Sequence, residues 1–323
     1  MRCSNCNLLA LHKCNKCNIK YCSEKCWTIG DKCELINGAK RQREDEWIPQ
    51  LSESFDKTIV TFDDLRFCVC QYDEGPVGIT YISFGKTKAK CYTDIRGGWP
   101  GYMSNQGTYD KQMIDGICIV GGSTMGLSAA TSLVAEEWKQ NDKILGLNAA
   151  VVFSHNLLTN KVYPDLRLGK FAYNNLSKNL YSGQVGAGAS ASKGQGVEFQ
   201  TKMGFKILCI IVNNSMGNVY SIEEGKQLTD TNPKDIEFGH QTTVTTVVTD
   251  MILDLNELKQ MSHQVHASIA QIIRPFNTFM DGDIFYACST QKKSKPRNWD
   301  MFMLSEFFSE ITDVVHDAII KSI

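Results

Sequence analysis

Seven cysteines within the first 33 residues place the tightest constraint on how this 323-residue chain can fold. They stand as Cys3-x2-Cys6, Cys14-x2-Cys17, Cys22-x3-Cys26 and a final Cys33. A segment this short cannot bury enough apolar surface to fold unaided, so it needs cross-links. Two pairs of closely spaced thiolates complete a tetrahedron around one Zn2+, and metal binding then supplies most of the folding free energy. A disulfide knot or chance clustering is the alternative. The other six cysteines (Cys68, Cys70, Cys91, Cys118, Cys209 and Cys288) are scattered. They are expected to be buried thiols rather than bridges, since an intracellular chain keeps its cysteines reduced.

The order of the cysteine pairs resembles the HIT-type and MYND-type zinc fingers, which interleave two zinc sites. The resemblance implies that Cys3, Cys6, Cys22 and Cys26 share one Zn2+. Cys14, Cys17 and Cys33 would join a late histidine in a second site. Ile29 and Gly30 occupy the region where that histidine is expected, which leaves Asp31 or His12 to replace it, or the second site empty. Such fingers serve as structural or docking elements toward a protein partner. A catalytic zinc needs an open coordination position, which a cysteine-only set does not offer. Residues 1–36 therefore read as a small cross-braced finger and 37–56, with its KRQREDEW run, as a solvated linker. The main domain is expected over 57–323.

Lys and Arg number 34 against 35 Asp and Glu, a formal net charge of −1. Without a strong positive field, nucleic acid is not an expected partner. No apolar run approaches the roughly 20 residues that span a bilayer, and the first residues lack the pattern of a secretory signal. The expected location is the cytosol.

Beyond residue 57, buried-strand patterns at 114–120, 147–153, 206–212, 244–248 and 283–288 alternate with helical ones. Ser123 is a suitable N-cap for a helix with Leu127, Ala130, Val134 and Trp138 at helical spacing. A second helix is expected near 171–180. A third spans 254–274 on a stripe of Leu255, Leu258, Met261, Val265, Ile269 and Ile272, and a last one covers 301–320. The Gly186-Ala187-Gly188 run followed by Lys193-Gly194 lacks the spacing of a phosphate-binding loop. These patterns imply an α/β fold of packed sheets covered by helices.

Seven blocks in order carry a narrower resemblance. They are Thr93-Asp-Ile-Arg-Gly-Gly-Trp-Pro-Gly101, Val120-Gly-Gly-Ser-Thr-Met-Gly-Leu127, Pro164-Asp-Leu-Arg-Leu-Gly169 and Val185-Gly-Ala-Gly188. Val212-Asn-Asn-Ser-Met-Gly217, Gln241-Thr-Thr-Val244 leading to Val248-Thr-Asp250, and Arg274-Pro275 leading to Asp281-Gly-Asp283-Ile-Phe285 complete the series. Over about residues 57–295 the chain resembles the DmpA family of self-processing aminopeptidases, which includes β-aminopeptidases and nylon-oligomer hydrolases.

That resemblance implies a four-layer α/β/β/α sandwich of the N-terminal-nucleophile type, assembled as a tetramer. It also implies one self-cleavage, here at Gln241–Thr242, that leaves Thr242 as a new N-terminus. A threonine hydroxyl needs a neighbouring base, and the freed α-amino group, with an ordinary pKa near 7.7–8.0, supplies one. By the same resemblance Asp281 and Asp283 hold the nucleophile and its amine. Strand alternation alone would point the two to opposite faces, so a bend at Gly282 is expected. Asn214 corresponds to a donor toward the developing oxyanion and Lys193 to an active-site lysine, while Gly122 and Gly188 fit the backbone around the site. Small peptides, amides or esters are the implied substrates. Gln241 departs from the usual Asn or Gly, and Asn277 stands where many members have His. The rival reading is an inactive body of this fold, tethered to a partner by its finger.

Overall fold

The computed structural model describes residues 47–54, 56–104, 113–153, 161–230 and 241–323, with the backbone of two short strands before them. The chain divides into two compact units, Met1–Trp47 and Ile48–Ile323. In the first, β1 (His12–Lys13) and β2 (Lys20–Tyr21) pair antiparallel, with His12 opposite Tyr21. The cysteines expected to bind zinc (Cys3, Cys6, Cys14, Cys17, Cys22, Cys26 and Cys33) and Asp31 lie outside the described residues.

The second unit is built on two six-stranded sheets. The first has the order β3 (Gln50–Leu51), β5 (Arg66–Tyr72), β6 (Val77–Ser83), β10 (Gly116–Val120), β11 (Leu147–Val151), β8 (Tyr102–Met103). The second runs β13 (Gly194–Lys202), β14 (Phe205–Asn214), β16 (Thr242–Met251), β18 (Ile284–Lys293), β7 (Ala89–Ile95), β9 (Met113–Ile114). Two short pairs lie apart, β4 (Lys57–Ile59) with β12 (Asn179–Tyr181) and β15 (Asn218–Val219) with β17 (Ile273–Arg274). Each sheet contains one parallel pair, β10–β11 and β16–β18. Parallel neighbours need a crossover. Helix α1 (Leu127–Asn141) makes the first and α3 (Leu255–Ser268) the second.

Alternation along the strands sorts the core into layers. Leu208, Ile210 and Val212 of β14 join Val244, Val248 and Tyr286 against Phe67, Val69, Ile82, Ile117 and Ile119 of the other sheet. Their neighbours Ile207, Cys209 and Ile211 face the opposite way, onto Leu258, Met261 and Val265 of α3 and Phe307, Ile311 and Val314 of α4 (Met301–Ile320). Helices α1 and α2 (Leu166–Asn174) pack on the first sheet. Burial on both faces explains why β14 reads as an unbroken apolar run. The order helix, sheet, sheet, helix is the sandwich expected from the sequence.

Several elements differ from expectation. Gln50–Leu51, inside the expected linker, pairs with Gln71 and Cys70, so the main body starts before residue 57. The second helix is Leu166–Asn174 rather than 171–180, because the Asp165 carboxylate caps the N–H groups of Arg167 and Leu168. Residues 179–181 are then free to form a strand. Ser123 does not cap α1; it has a φ of 55° within a 3-10 turn that follows Gly122 at φ 78°. The buried face of α1 is Ala129, Ala130, Ser132, Leu133 and Glu136, which leaves Trp138 on the outside. The third helix ends at Ser268, and a 3-10 turn over 269–271 leads into β17. The six scattered cysteines are buried free thiols. No helix among the described residues is long and apolar enough to cross a membrane.

Candidate active site

The register of three strands brings the expected site residues together. Asn214, the last residue of β14, lies opposite Thr242, the first of β16. Val244 lies beside Ile284 in the parallel pair, so the segment entering β18 runs alongside the one entering β16. Gln241 and Asp281 form an isolated parallel bridge at that entrance.

Asp283 is fully buried and both of its carboxylate oxygens are engaged. Oδ1 accepts from the Thr243 N–H at 2.6 Å and Oδ2 from the Asn277 N–H at 3.1 Å. Burial, reinforced by the charge of Asp281, pushes its pKa up to about 8, while the two N–H groups pull the other way. Asp281 is also buried. Its Oδ2 accepts from the Thr278 N–H at 2.8 Å, and its Oδ1 has no hydrogen-bond partner among the described residues. The position expected to be His, Asn277, thus acts through its backbone, so the side-chain change leaves that contact intact.

Both aspartates precede β18 and are not constrained by strand alternation; Gly282 makes the bend. A Cβ there would lie 2.5 Å from the Trp99 carbonyl oxygen and 3.1 Å from Thr242 Oγ1. The Thr93–Gly101 block braces the bend from outside. Trp99 N–H donates to the Asp281 carbonyl at 2.9 Å and Arg96 N–H to the Asp283 carbonyl at 2.8 Å. Gly97, at φ 85°, approaches so closely that a Cβ would meet the Asp281 carbonyl oxygen at 2.3 Å.

Thr242 is buried, and its hydroxyl donates to the carbonyl oxygen of Gln241 at 2.6 Å. The same oxygen accepts from the Gly282 N–H at 3.0 Å. Asn214 accepts from the Ser192 N–H at 2.8 Å and donates to the Phe153 carbonyl at 3.3 Å. Lys193 Nζ donates to the Ser215 carbonyl at 2.6 Å. Loss of hydration on burial lowers the Lys193 pKa to about 8, against the opposing pull of Asp281. Thr242, Asp281, Asp283 and Asn214 therefore meet at one end of the second sheet, with Lys193 joined to them through the turn after β14. Two further groups belong to the arrangement, the Gly282 N–H and the Gln241 side chain. The sequence offers the Gly282 bend as a clue but nothing for the direction of its N–H. Among the described residues, no three or more His, Cys, Asp or Glu side chains cluster as metal ligands.

Residues 75–323 match the profile of peptidase family S58. The chain belongs to that family. A 6-aminohexanoate-oligomer endohydrolase of Agromyces sp. (strain KY5R) is 28% identical over 274 residues, covering 73% of this chain and 75% of the relative. One from Paenarthrobacter ureafaciens matches with the same identity and coverage. Among solved structures, a Burkholderia sp. beta-aminopeptidase has a TM-score of 0.62 at 14% identity, covering 84% of this chain and 89% of its own. The l-aminopeptidase d-ala-esterase/amidase of Ochrobactrum anthropi has a TM-score of 0.62 at 15% identity, covering 84% and 88%. At such identities the structural likeness establishes the fold. Family and fold agree with the resemblance carried by the seven sequence blocks: the chain is a hydrolase of peptidase family S58.

Proposed function

We propose that this S58 chain cuts its own Gln241–Thr242 bond and then uses Thr242 to hydrolyse small peptides, amides or esters. The observation that most supports this is the position of the Thr242 hydroxyl, 2.6 Å from the carbonyl oxygen of the bond to be cut, beside a buried Asp281-Gly282-Asp283 bend. Once free, the Thr242 amine takes the hydroxyl proton as Oγ1 attacks the substrate carbonyl. Negative charge then grows on the carbonyl oxygen, where the Asn214 amide is the proposed donor. The protonated amine passes its proton to the leaving group, and water releases the acyl product. Asp283 holds the strand entrance through Thr243, and Lys193, at about 8, exchanges its proton near neutral pH.

The unpartnered Asp281 Oδ1 suits a substrate with a free ammonium group. The relatives named for 6-aminohexanoate oligomers and β-aminopeptidase activity fit such a substrate, a short chain with a terminal amine. A panel of 6-aminohexanoate oligomers and of α- and β-aminoacyl amides and esters tests this. Wild type is expected to release amine or alcohol from at least one of them, and Thr242→Ala from none. Equal turnover by both proteins would remove Thr242 from the chemistry. We also propose that the processed protomers assemble as tetramers. The cysteine-rich first 36 residues are proposed as a Zn2+-stabilised docking element for a protein partner, with no step of the reaction passing through the metal. Elemental analysis of the full chain is expected to find about one zinc per chain on the Cys3, Cys6, Cys22 and Cys26 set, reduced in Cys3→Ser.

A further inference from the structure

Gln241 occupies the acyl side of the proposed cut, and it is held at both ends. With its amide nitrogen turned toward the end of β14, it donates to the Asn214 carbonyl at 2.7 Å and the Ser215 carbonyl at 3.2 Å. Its own carbonyl oxygen accepts from the Gly282 N–H and the Thr242 hydroxyl. The anchoring turn is itself fixed. Ser215 N–H donates to Asn213 Oδ1 at 3.3 Å, its hydroxyl donates to the Gly217 carbonyl at 3.0 Å, and its carbonyl also accepts Lys193 Nζ.

We propose that Gln241 is a positioning residue for self-cleavage, its amide clamping the scissile carbonyl so that the oxygen stays on the Gly282 N–H. This inference rests on the self-processing reading above. In the step, Thr242 Oγ1 attacks the Gln241 carbonyl carbon through a five-membered ring. The Oγ1–C bond forms and the carbonyl pair moves onto the oxygen, where the Gly282 N–H meets it. The hydroxyl proton passes to the Thr242 nitrogen as the C–N bond breaks, leaving an ester and a free amine. Water then hydrolyses the ester to the Gln241 carboxylate and restores the hydroxyl. Gln241 transfers no proton; it fixes rotation about its own backbone. Its loss therefore degrades alignment rather than removing a reacting group.

The test is the rate of self-cleavage, followed by intact mass on the full chain, for wild type, Gln241→Met and Gln241→Glu. Methionine fills similar space without a donor, and its cleavage is expected to slow roughly tenfold to a hundredfold. Glutamate turns a carboxylate toward two carbonyl oxygens and is expected to be slower still at pH 8. Its deficit relative to wild type at the same pH should narrow at pH 5, where a larger protonated fraction of the glutamate carries a donor. The methionine substitution is also placed on Thr242→Ala, which stays uncut, and its melting temperature is expected to remain unchanged. Cleavage of both variants at the wild-type rate would overturn the clamp, as would slowing that only accompanies lowered melting. A wild type that stays whole would bring down the self-processing reading itself, and this inference with it.

Discussion

Two places in the second unit bury aspartate, and they treat its charge differently. Asp115, between β9 and β10, is neutralised by Lys143 at 2.7 Å and Lys88 at 3.5 Å, and Oδ2 accepts the Gly146 N–H at 2.8 Å. Asp281 and Asp283 are at least as deeply buried and adjacent, yet neither forms an ion pair with a cation among the described residues. Backbone N–H groups alone hold their oxygens. A buried charge with full partners ties elements together. Burial without an ion-pair partner instead holds the Asp283 proton up to about 8, and such an arrangement belongs where proton affinity is used.

The largest expected effect separates the two places by chemistry. Asp283→Asn should slow self-cleavage and turnover about 10²- to 10³-fold while the chain stays folded; unchanged rates would put Asp283 in the same class as Asp115. Asp115→Ala should do the reverse. Loss of the carboxylate between two half-exposed lysines is expected to lower unfolding stability by about 2 kcal/mol, with the self-cleavage rate within about twofold of wild type. Denaturant melts beside cleavage time courses read both quantities, and a cleavage defect in Asp115→Ala would erase the contrast.

A pH series sharpens it further. The Asp283 proton is held up to about 8 in the folded chain and lost near 4 in the unfolded one. Between those values the folded state binds more protons, so its stability falls as pH rises. The stability of Asp283→Asn relative to wild type should therefore climb from pH 5 to pH 8, and a flat or falling difference would contradict the raised pKa. The smallest effect serves as a baseline. The part-exposed Lys202–Glu310 pair, at 3.1 Å, should contribute less than about 0.5 kcal/mol, so Lys202→Ala leaves stability and cleavage nearly unchanged.

The contrast also separates what the sequence makes legible from what it does not. Strands such as β14 are readable because burial on both faces leaves an unbroken apolar run. The stripe of α3 is readable because one face meets the core. The convergence of Thr242, Asn214, Asp281 and Asp283 on one end of a sheet follows the order of short blocks, although the four span seventy residues. The Asp165 cap is present as a residue type, but the apolar residues further along pull the expected helix toward 171–180, later than the capped Leu166–Asn174. The Gly282 N–H and the Gln241 clamp depend on backbone register between segments about 41 and about 26 residues apart. Residue types alone do not encode which carbonyl an amide will face.

Intact-mass analysis of freshly purified wild type beside Thr242→Ala and Thr242→Ser tests the central claim most directly. Two fragments are expected for wild type and Thr242→Ser, the smaller beginning at residue 242, and one uncut chain for Thr242→Ala. A folded wild type that remains a single chain, or a cut that persists in Thr242→Ala, would contradict it.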